Sequence, residues 1–424
     1  VTDLFNPKRS LDLGHWFKLI CGASFQHLPA VRSLTLAYAL AGADCIDVAA
    51  DPAVISAAQE ALNIASSLAV ESRRRGFNCG VKMPLLMVSL NDGEDPHFRK
   101  AEFDARECPS TCPRPCEKVC PAQAIVFNEH SNNFSGVVSQ KCYGCGRCVP
   151  ICPYDIIYTS SYVSTPGAIA PLVLSKGVDA VEIHTKVGRF AEFERLWQAI
   201  EPHVPQLKLV AVSCPDGEDL IDYLYALYEL IAPTVKCLIW QTDGRPMSGD
   251  IGSGATIAAI KLGQKVLKAN LPGYVQLAGG TNSYTVAKLE AMGMLRNSAE
   301  CKVLSAESSD ECKVLSAESS DECKVLSAES NTHYSSLSTQ NSALSTQHSL
   351  STHNSYISGI AYGSYARALL LPILEQLEAK EVNQYDVKCV RLEDEPELLW
   401  QAVKLAHSLV SQLKSQQSIA RTLY

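Results

Sequence analysis

An excess of positive charge is missing. The 424 residues carry 37 Lys and Arg against 45 Asp and Glu, a formal net charge of −8. This argues against the basic stripe that a nucleic-acid backbone or an anionic membrane surface selects, and an acidic surface suits basic partners. No run of about 18 apolar residues occurs, so no segment reads as transmembrane. The first residues, VTDLFNPKRSLDLGHW, lack the apolar core of a secretion signal. The expectation is a soluble, cytoplasmic chain with reduced thiols, where disulfides do not persist. Also missing are a nucleophile elbow, a Walker loop and a zinc-protease signature, which removes three common routes to catalysis.

Cysteine is abundant. The chain holds 17, and eight fall in two quartets that each end in Cys-Pro. The second quartet, Cys142, Cys145, Cys148 and Cys152 before Pro153, matches C-x2-C-x2-C-x3-C-P, the bacterial ferredoxin run. Two-residue gaps turn three successive sulfurs toward one centre, and Gly144 and Gly146 let the backbone approach the inorganic sulfides. In two-cluster ferredoxins the fourth Cys of each run ligates the other cluster. The expected sets are therefore Cys142, Cys145, Cys148 and Cys120 on one 4Fe-4S cluster, and Cys108, Cys112, Cys116 and Cys152 on the other. The first quartet has x3 gaps throughout, with Pro113 and Pro115 inside them. Its turn is wider, and a labile or three-iron cluster there stays open. Zinc usually takes separated C-x2-C pairs, which this pattern matches poorly.

Apolar runs and amphipathic stretches alternate as repeated βα units. Strands are predicted at 18–24, 44–50, 84–90, 179–185, 207–213, 236–241, 273–277 and 356–361. Helices are predicted at 28–41, 52–74 (with Asp51 as N-cap), 168–175, 191–200, 219–231, 255–267, 281–294 and 365–377. Eight units imply an α/β fold of the (β/α)8 TIM-like barrel class, with an open doubly wound sheet as runner-up. The cysteines then form an inserted two-cluster (α+β) ferredoxin-like module in the loop after the third strand, on the C-terminal face, with a hairpin of 124–128 and 136–140. The expected organisation is 1–100, first βα units; 101–160, the module; 161–296, the barrel continued; 297–355, a Ser-rich insertion; and 356–424, the last βα unit and a closing C-terminal helix. The insertion repeats ECKVLSAESSD from 300 and lacks a broad apolar stripe, so disorder is expected, with Cys301, Cys312 and Cys323 outside the clusters.

Glycines after the last two barrel strands are the usual phosphate site of such barrels. Gly279, Gly280, Gly363 and Ser364 are thus candidates for FMN or another phosphate ligand, set against a plain role as turn residues. The loop DGRPMSGDIGSG, 243–254, only partly resembles a nucleotide loop. Glu182, His184 and Lys186 share one side of a strand, where satisfied structure and catalysis compete as explanations. Cys21, Cys45, Cys79, Cys214, Cys237 and Cys389 read as small buried hydrophobes.

The quartets in a barrel-like chain, with KLICGAS near the start and LIWQTDGRPMSGDIG in the middle, resemble the cyanobacterial light-dependent period protein family, LdpA. The similarity covers nearly the whole chain outside the repeats. It implies two iron-sulfur clusters on the eight cysteines, a role in conveying the cell's redox and light state to the circadian clock, and association with KaiA and clock-associated histidine kinases. Two functions follow. One is a redox-sensing regulator exchanging electrons with the quinone or ferredoxin pool. The other is an oxidoreductase feeding a flavin or small substrate in the barrel mouth.

Overall fold

The computed structural model describes residues 7–21, 28–77, 79–80, 82–93, 95–120, 123–129, 134–139, 141–142, 148–164, 166–245, 252, 254–296, 355–383, 386–387 and 390–414. Strands in chain order are β1 (Trp16–Ile20), β2 (Cys45–Ala49), β3 (Leu85–Asn91), β4 (Asp95–Glu102), β5 (Ile125–Glu129), β6 (Phe134–Val137), β7 (Tyr158–Ser164), β8 (Ala180–His184), β9 (Leu209–Pro215), β10 (Leu238–Asp243), β11 (Tyr274–Ala278) and β12 (Gly359–Tyr362). Helices in the same order are α1 (Pro7–Asp12), α2 (Leu28–Ala41), α3 (Pro52–Arg74), α4 (Pro115–Val119), α5 (Cys148–Ile151), α6 (Pro166–Leu174), α7 (Phe190–Ile200), α8 (Leu220–Ile231), α9 (Thr256–Lys268), α10 (Thr285–Ala291), α11 (Ser364–Glu381) and α12 (Pro396–Lys414).

Strands β1, β2, β3, β8, β9, β10, β11 and β12 close in that order into an all-parallel barrel. Closure is made where Trp16 pairs with Gly359, which excludes the open sheet. Gly359 is required there, because a Cβ would stand 2.5 Å from Cδ1 of Trp16. Outward residues such as Leu19, Val48, Val88, Val181, Val212, Trp240 and Ile360 pack against the ring of helices. Fully burying one such aliphatic side chain contributes ~1.5–3 kcal/mol. The long α3 begins at Asp51, whose carboxylate accepts from the N–H groups of Ala53 at 2.7 Å and Val54 at 3.4 Å, as its N-cap position demands. By length and composition α3 is apolar enough to cross a membrane, yet its Ala-rich face, from Ala53 to Ala69, is buried in the barrel's helical layer. The terminal α12 closes the structure: Lys414 Nζ donates to Asp44 at 2.7 Å, both buried, tying the helix end to the start of β2.

Among the local features that differ from the sequence expectation, two bear on the site. β1 starts at Trp16 rather than at 18, since the indole fills the barrel floor and Trp16 pairs in register with β12. The second is an antiparallel ribbon, β4 with β7, running from the pair Asp95 and Ser164 to the pair Glu102 and Tyr158. It extends beyond the 101–160 marked out by the cysteines and joins the insertion to the barrel rim, four residues after β3 ends. Residues 297–354 lie outside the described residues. Their flanks are on the N-terminal face, where Arg296 and Tyr356 both donate to the carbonyl of Asp12, at 2.5 and 2.7 Å.

Candidate functional site: a thiol module above a charged barrel

The ribbon carries the hairpin β5–β6 and the short helices α4 and α5. These surround a small core of their own, separate from the barrel's, formed by Ala101, Cys116, Ala124, Ile125, Cys142, Cys148, Cys152 and Ile157, with Phe103, Phe127 and Cys120 packed beside them. Cys108 and Cys120 are half-buried, and Cys112 is buried. Cys145 lies outside the described residues, as do Gly144 and Gly146.

The described residues after the two Cys-Pro steps share a φ region and a backbone hydrogen bond. CPAQAI and CPYDII each place their fourth residue in the left-handed region, Gln123 at φ 47° and Asp155 at φ 50°. In each, that residue's N–H returns to the carbonyl of the cysteine, Gln123 to Cys120 at 3.1 Å and Asp155 to Cys152 at 3.3 Å. The following isoleucines, Ile125 and Ile157, are buried alike. Short proline-containing helices, α4 and α5, precede both turns. The same turn contact therefore follows each quartet, although the first quartet's spacing is irregular.

Three of the sulfurs accept from backbone N–H groups: Cys142 Sγ from Ala101 at 3.3 Å, Cys120 Sγ from Ala124 at 3.2 Å and Cys112 Sγ from Arg114 at 3.4 Å. Burial pushes the Cys116 thiol up to about 11, with Cys152, Cys108 and Cys112 adding to the rise. Burial likewise raises Cys108, followed by contributions from Cys112 and Cys152. Cys152 is thus in electrostatic reach of the first quartet's sulfurs. Among the described residues, no three acidic, His or Cys side chains converge on the volume of a single metal ion. With thiol donors whose sulfurs accept from backbone N–H groups, the residues present fit an iron-sulfur group.

Beneath the module, the C-terminal half of the barrel interior is polar. Lys18 on β1 is fully buried and forms ion pairs with Glu182 on β8 and, at 3.3 Å, with Asp47 on β2. Lys18 Nζ also donates to Gln241 Oε1 at 3.0 Å. Gln241 Nε2 donates to Glu182 at 2.7 Å, Gln276 Nε2 to Gln241 at 2.5 Å, and Ser89 Oγ to Asp47 at 2.6 Å. Trp16 Nε1 closes the network from below through Gln276 at 2.6 Å, above an apolar floor that includes Met87, Leu209 and Ile239. Burial works against the Lys18 charge, but Asp47 and Glu182 overcome it and hold the ammonium above its ordinary range. Burial raises Asp47 despite Lys18. At the top His184 Nε2 stands 3.2 Å from Glu182 and is half-exposed, whereas Lys186 is beyond the strand end and exposed. Barrel interiors of this kind are usually layers of branched apolar side chains. Burying an ion pair seldom gains stability over apolar packing, so this layer suggests a role beyond holding the fold.

Residues 108–163 match the LdpA Fe-S cluster-binding domain, and residues 172–412 match the light dependent period A C-terminal domain. Light dependent period A of Synechococcus elongatus is 50% identical over 289 residues, 68% of this chain and 77% of that protein. The chain belongs to the LdpA family. It carries the family's iron-sulfur-binding domain, and its cysteine quartets lie within it. The region matched to the LdpA C-terminal domain contains β8 to β12 but not β1 to β3, so it supplies five strands of a barrel that closes only with the segment before the module.

In this LdpA family member two of the glycines read as a phosphate site are also closely packed. Gly279, at φ 66°, would place a Cβ 1.9 Å from Asp243 Oδ1, and Gly280, at φ 96°, would place one 2.5 Å from the Ala255 carbonyl. Gly363 is less crowded, and Ser364 opens α11 with its hydroxyl accepting from Arg367 at 3.3 Å. Loop residues 246–251 and 253 lie outside the described residues. A cavity of about 590 Å³ opens on the opposite, N-terminal face, lined by Lys8, Trp16, Lys82 and Lys208 among others, and touches the polar layer only through Trp16.

Burial pushes the Asp243 carboxyl up to about 6, although His184 pulls it back. A carboxyl raised on folding contributes stability that is complete below its unfolded pKa, near 4, and is lost as pH rises through 6. Asp243→Asn should therefore flatten the pH slope of stability between about 4 and 6 and stabilise the protein at pH 7.5 by roughly 1–3 kcal/mol. Urea unfolding at pH 4 and 7.5 measures it. An unchanged slope contradicts the assignment.

Proposed function

We propose that this chain is a redox-sensing iron-sulfur regulator that holds two 4Fe-4S clusters and conveys light and redox state to the circadian clock. The observation that carries this reading is the turn contact repeated after each quartet, because two like half-sites suit two clusters. Cys108, Cys112, Cys116 and Cys152 would hold one, and Cys120, Cys142, Cys145 and Cys148 the other. Once bound, such a cluster supplies a one-electron couple. The chain's own residues do the rest. Backbone N–H groups orient the sulfurs, while Phe103, Phe127, Ile125 and Ile157 limit water around them. Phe134, Tyr154 and Tyr158 on the module are exposed and offer aromatic anchors of the kind protein interfaces favour. The similarity to a protein named for light-dependent period supports clock proteins as the partners.

Recovery of clock proteins by oxidised, dithionite-reduced and Cys148→Ala protein tests the regulator. We expect oxidised and reduced protein to differ several-fold and the variant to lose the difference. Equal recovery from all three overturns the reading. A second reading, an oxidoreductase acting on a flavin or small substrate, is favoured by the buried Lys18, Glu182 and Asp47 layer lying at the module's end of the barrel. Flavin bands in the spectrum of the purified protein would favour it.

A further inference from the structure

Lys100 lies on β4, in the ribbon that joins the module to the barrel. Its Nζ donates to the carbonyls of Ser139 and Cys142, each at 2.7 Å, and stands 3.9 Å from Asp51 Oδ2. The Lys100 side chain is 15% exposed and that of Asp51 1%, so water screens this pair weakly. The next residue, Ala101, gives its N–H to Cys142 Sγ. Consecutive residues of one strand therefore grip the first cysteine of the second quartet, one with an ammonium at its carbonyl and one with an amide at its sulfur. Asp51 belongs to the barrel rim: it follows β2 and caps α3. The ribbon reaches from the thiols to the barrel through this lysine.

Hydrogen bonds to cluster sulfurs and nearby positive charge both favour the reduced, more negative state. A neighbouring carboxylate disfavours it. We propose that Lys100 is a positioning residue that raises the midpoint potential of the cluster bound through Cys142 and couples that potential to Asp51 on the barrel rim. The inference rests on the cluster reading above and adds to it a named electrostatic link between module and barrel.

The test is a dithionite titration of anaerobically prepared full-length protein, followed by electron paramagnetic resonance, on the wild type, Lys100→Met, Lys100→Arg and Asp51→Asn. Iron and sulfide are counted first. Asn serves well as an N-cap, so α3 keeps its start. Lys100→Met should raise the oxidised-to-reduced ratio at fixed potential at least tenfold, about 59 mV for one electron. Lys100→Arg should stay near the wild type, and Asp51→Asn should shift the opposite way. A Lys100→Met protein with full iron and the wild-type potential overturns the inference alone. So does a shift of both variants in one direction, which is what general loosening produces. If Lys100→Met loses its iron, Asp51→Asn decides: a higher potential supports the link, and an unchanged one overturns it. A wild type without iron overturns the cluster reading and this inference with it.

Discussion

Cys142→Ala/Cys152→Ala is expected to leave the protein without either cluster, whereas Cys108→Ala/Cys152→Ala should keep one and about half of the iron. Crossed ligation requires this asymmetry. Under the crossed sets Cys152 serves with Cys108, Cys112 and Cys116, so removing it along with Cys108 damages one site twice. Ligation of each quartet to its own cluster predicts the reverse, with Cys142→Ala/Cys152→Ala retaining half. Crossing is expected because in two-cluster ferredoxins the fourth Cys of each run ligates the other cluster. Iron and acid-labile sulfide per chain are the readout. Loss of ligands should also loosen the module itself, because metal-site energy is folding energy where the site does not exist in the unfolded chain. Its own core is small, and four of its eight buried members are the cysteines Cys116, Cys142, Cys148 and Cys152.

Lys18→Met should cost about 3–5 kcal/mol, the range for breaking a buried ion pair from one side. The substitution leaves Glu182 and Asp47 facing each other in the barrel without a counter-ion, and both are buried. Without the ammonium, the burial that already raises Asp47 is no longer offset by Lys18. The deficit is therefore greatest at neutral pH and shrinks as the pH falls toward 4, where protonation neutralises the carboxyls. Lys18→Met/Glu182→Gln should recover part of the loss, because only Asp47 then remains uncompensated. Urea unfolding at pH 5 and 7.5 measures all three proteins. A Lys18→Met penalty below about 1 kcal/mol, the value of an exposed pair, would contradict the account. The clusters should be unaffected, since the module packs around a separate core.

The barrel was legible because its outward residues recur with the period of two against helices of clear amphipathic pattern, as in α7 with Phe193, Leu196, Trp197 and Ile200 buried. The polar layer was harder to see. Most of its members are a single polar residue between apolar neighbours, as Lys18 is in FKL, Asp47 in IDV, Glu182 in VEI and Gln276 in VQL. One such residue per strand looks like an exception in any strand taken alone. Only closure brings them to one level, where Glu182 pairs in register with Ser89, and Gln241 with Ser213 and Gln276. Of the three residues singled out around β8, Glu182 falls in this layer, His184 stands above it, and Lys186 lies beyond the strand end. The ribbon β4–β7 was missed because DPHFRKAE and YTSSYVS carry little apolar alternation; their pairing follows from the need to join the module to the rim. Gly279 and Gly280 suggested phosphate, and the structure adds that a side chain does not fit at either, because Asp243 and Ala255 stand in that space. The cysteine spacing was the strongest signal, while the matching backbone of the two Cys-Pro turns appears only in the fold.

Iron and acid-labile sulfide counted on anaerobically purified full-length protein, with its paramagnetic spectrum after dithionite, bears most directly on the claim that the thiol module holds two clusters. About eight irons and eight sulfides per chain, with a reduced-cluster signal, is the predicted result. Colourless protein without sulfide or signal would contradict it.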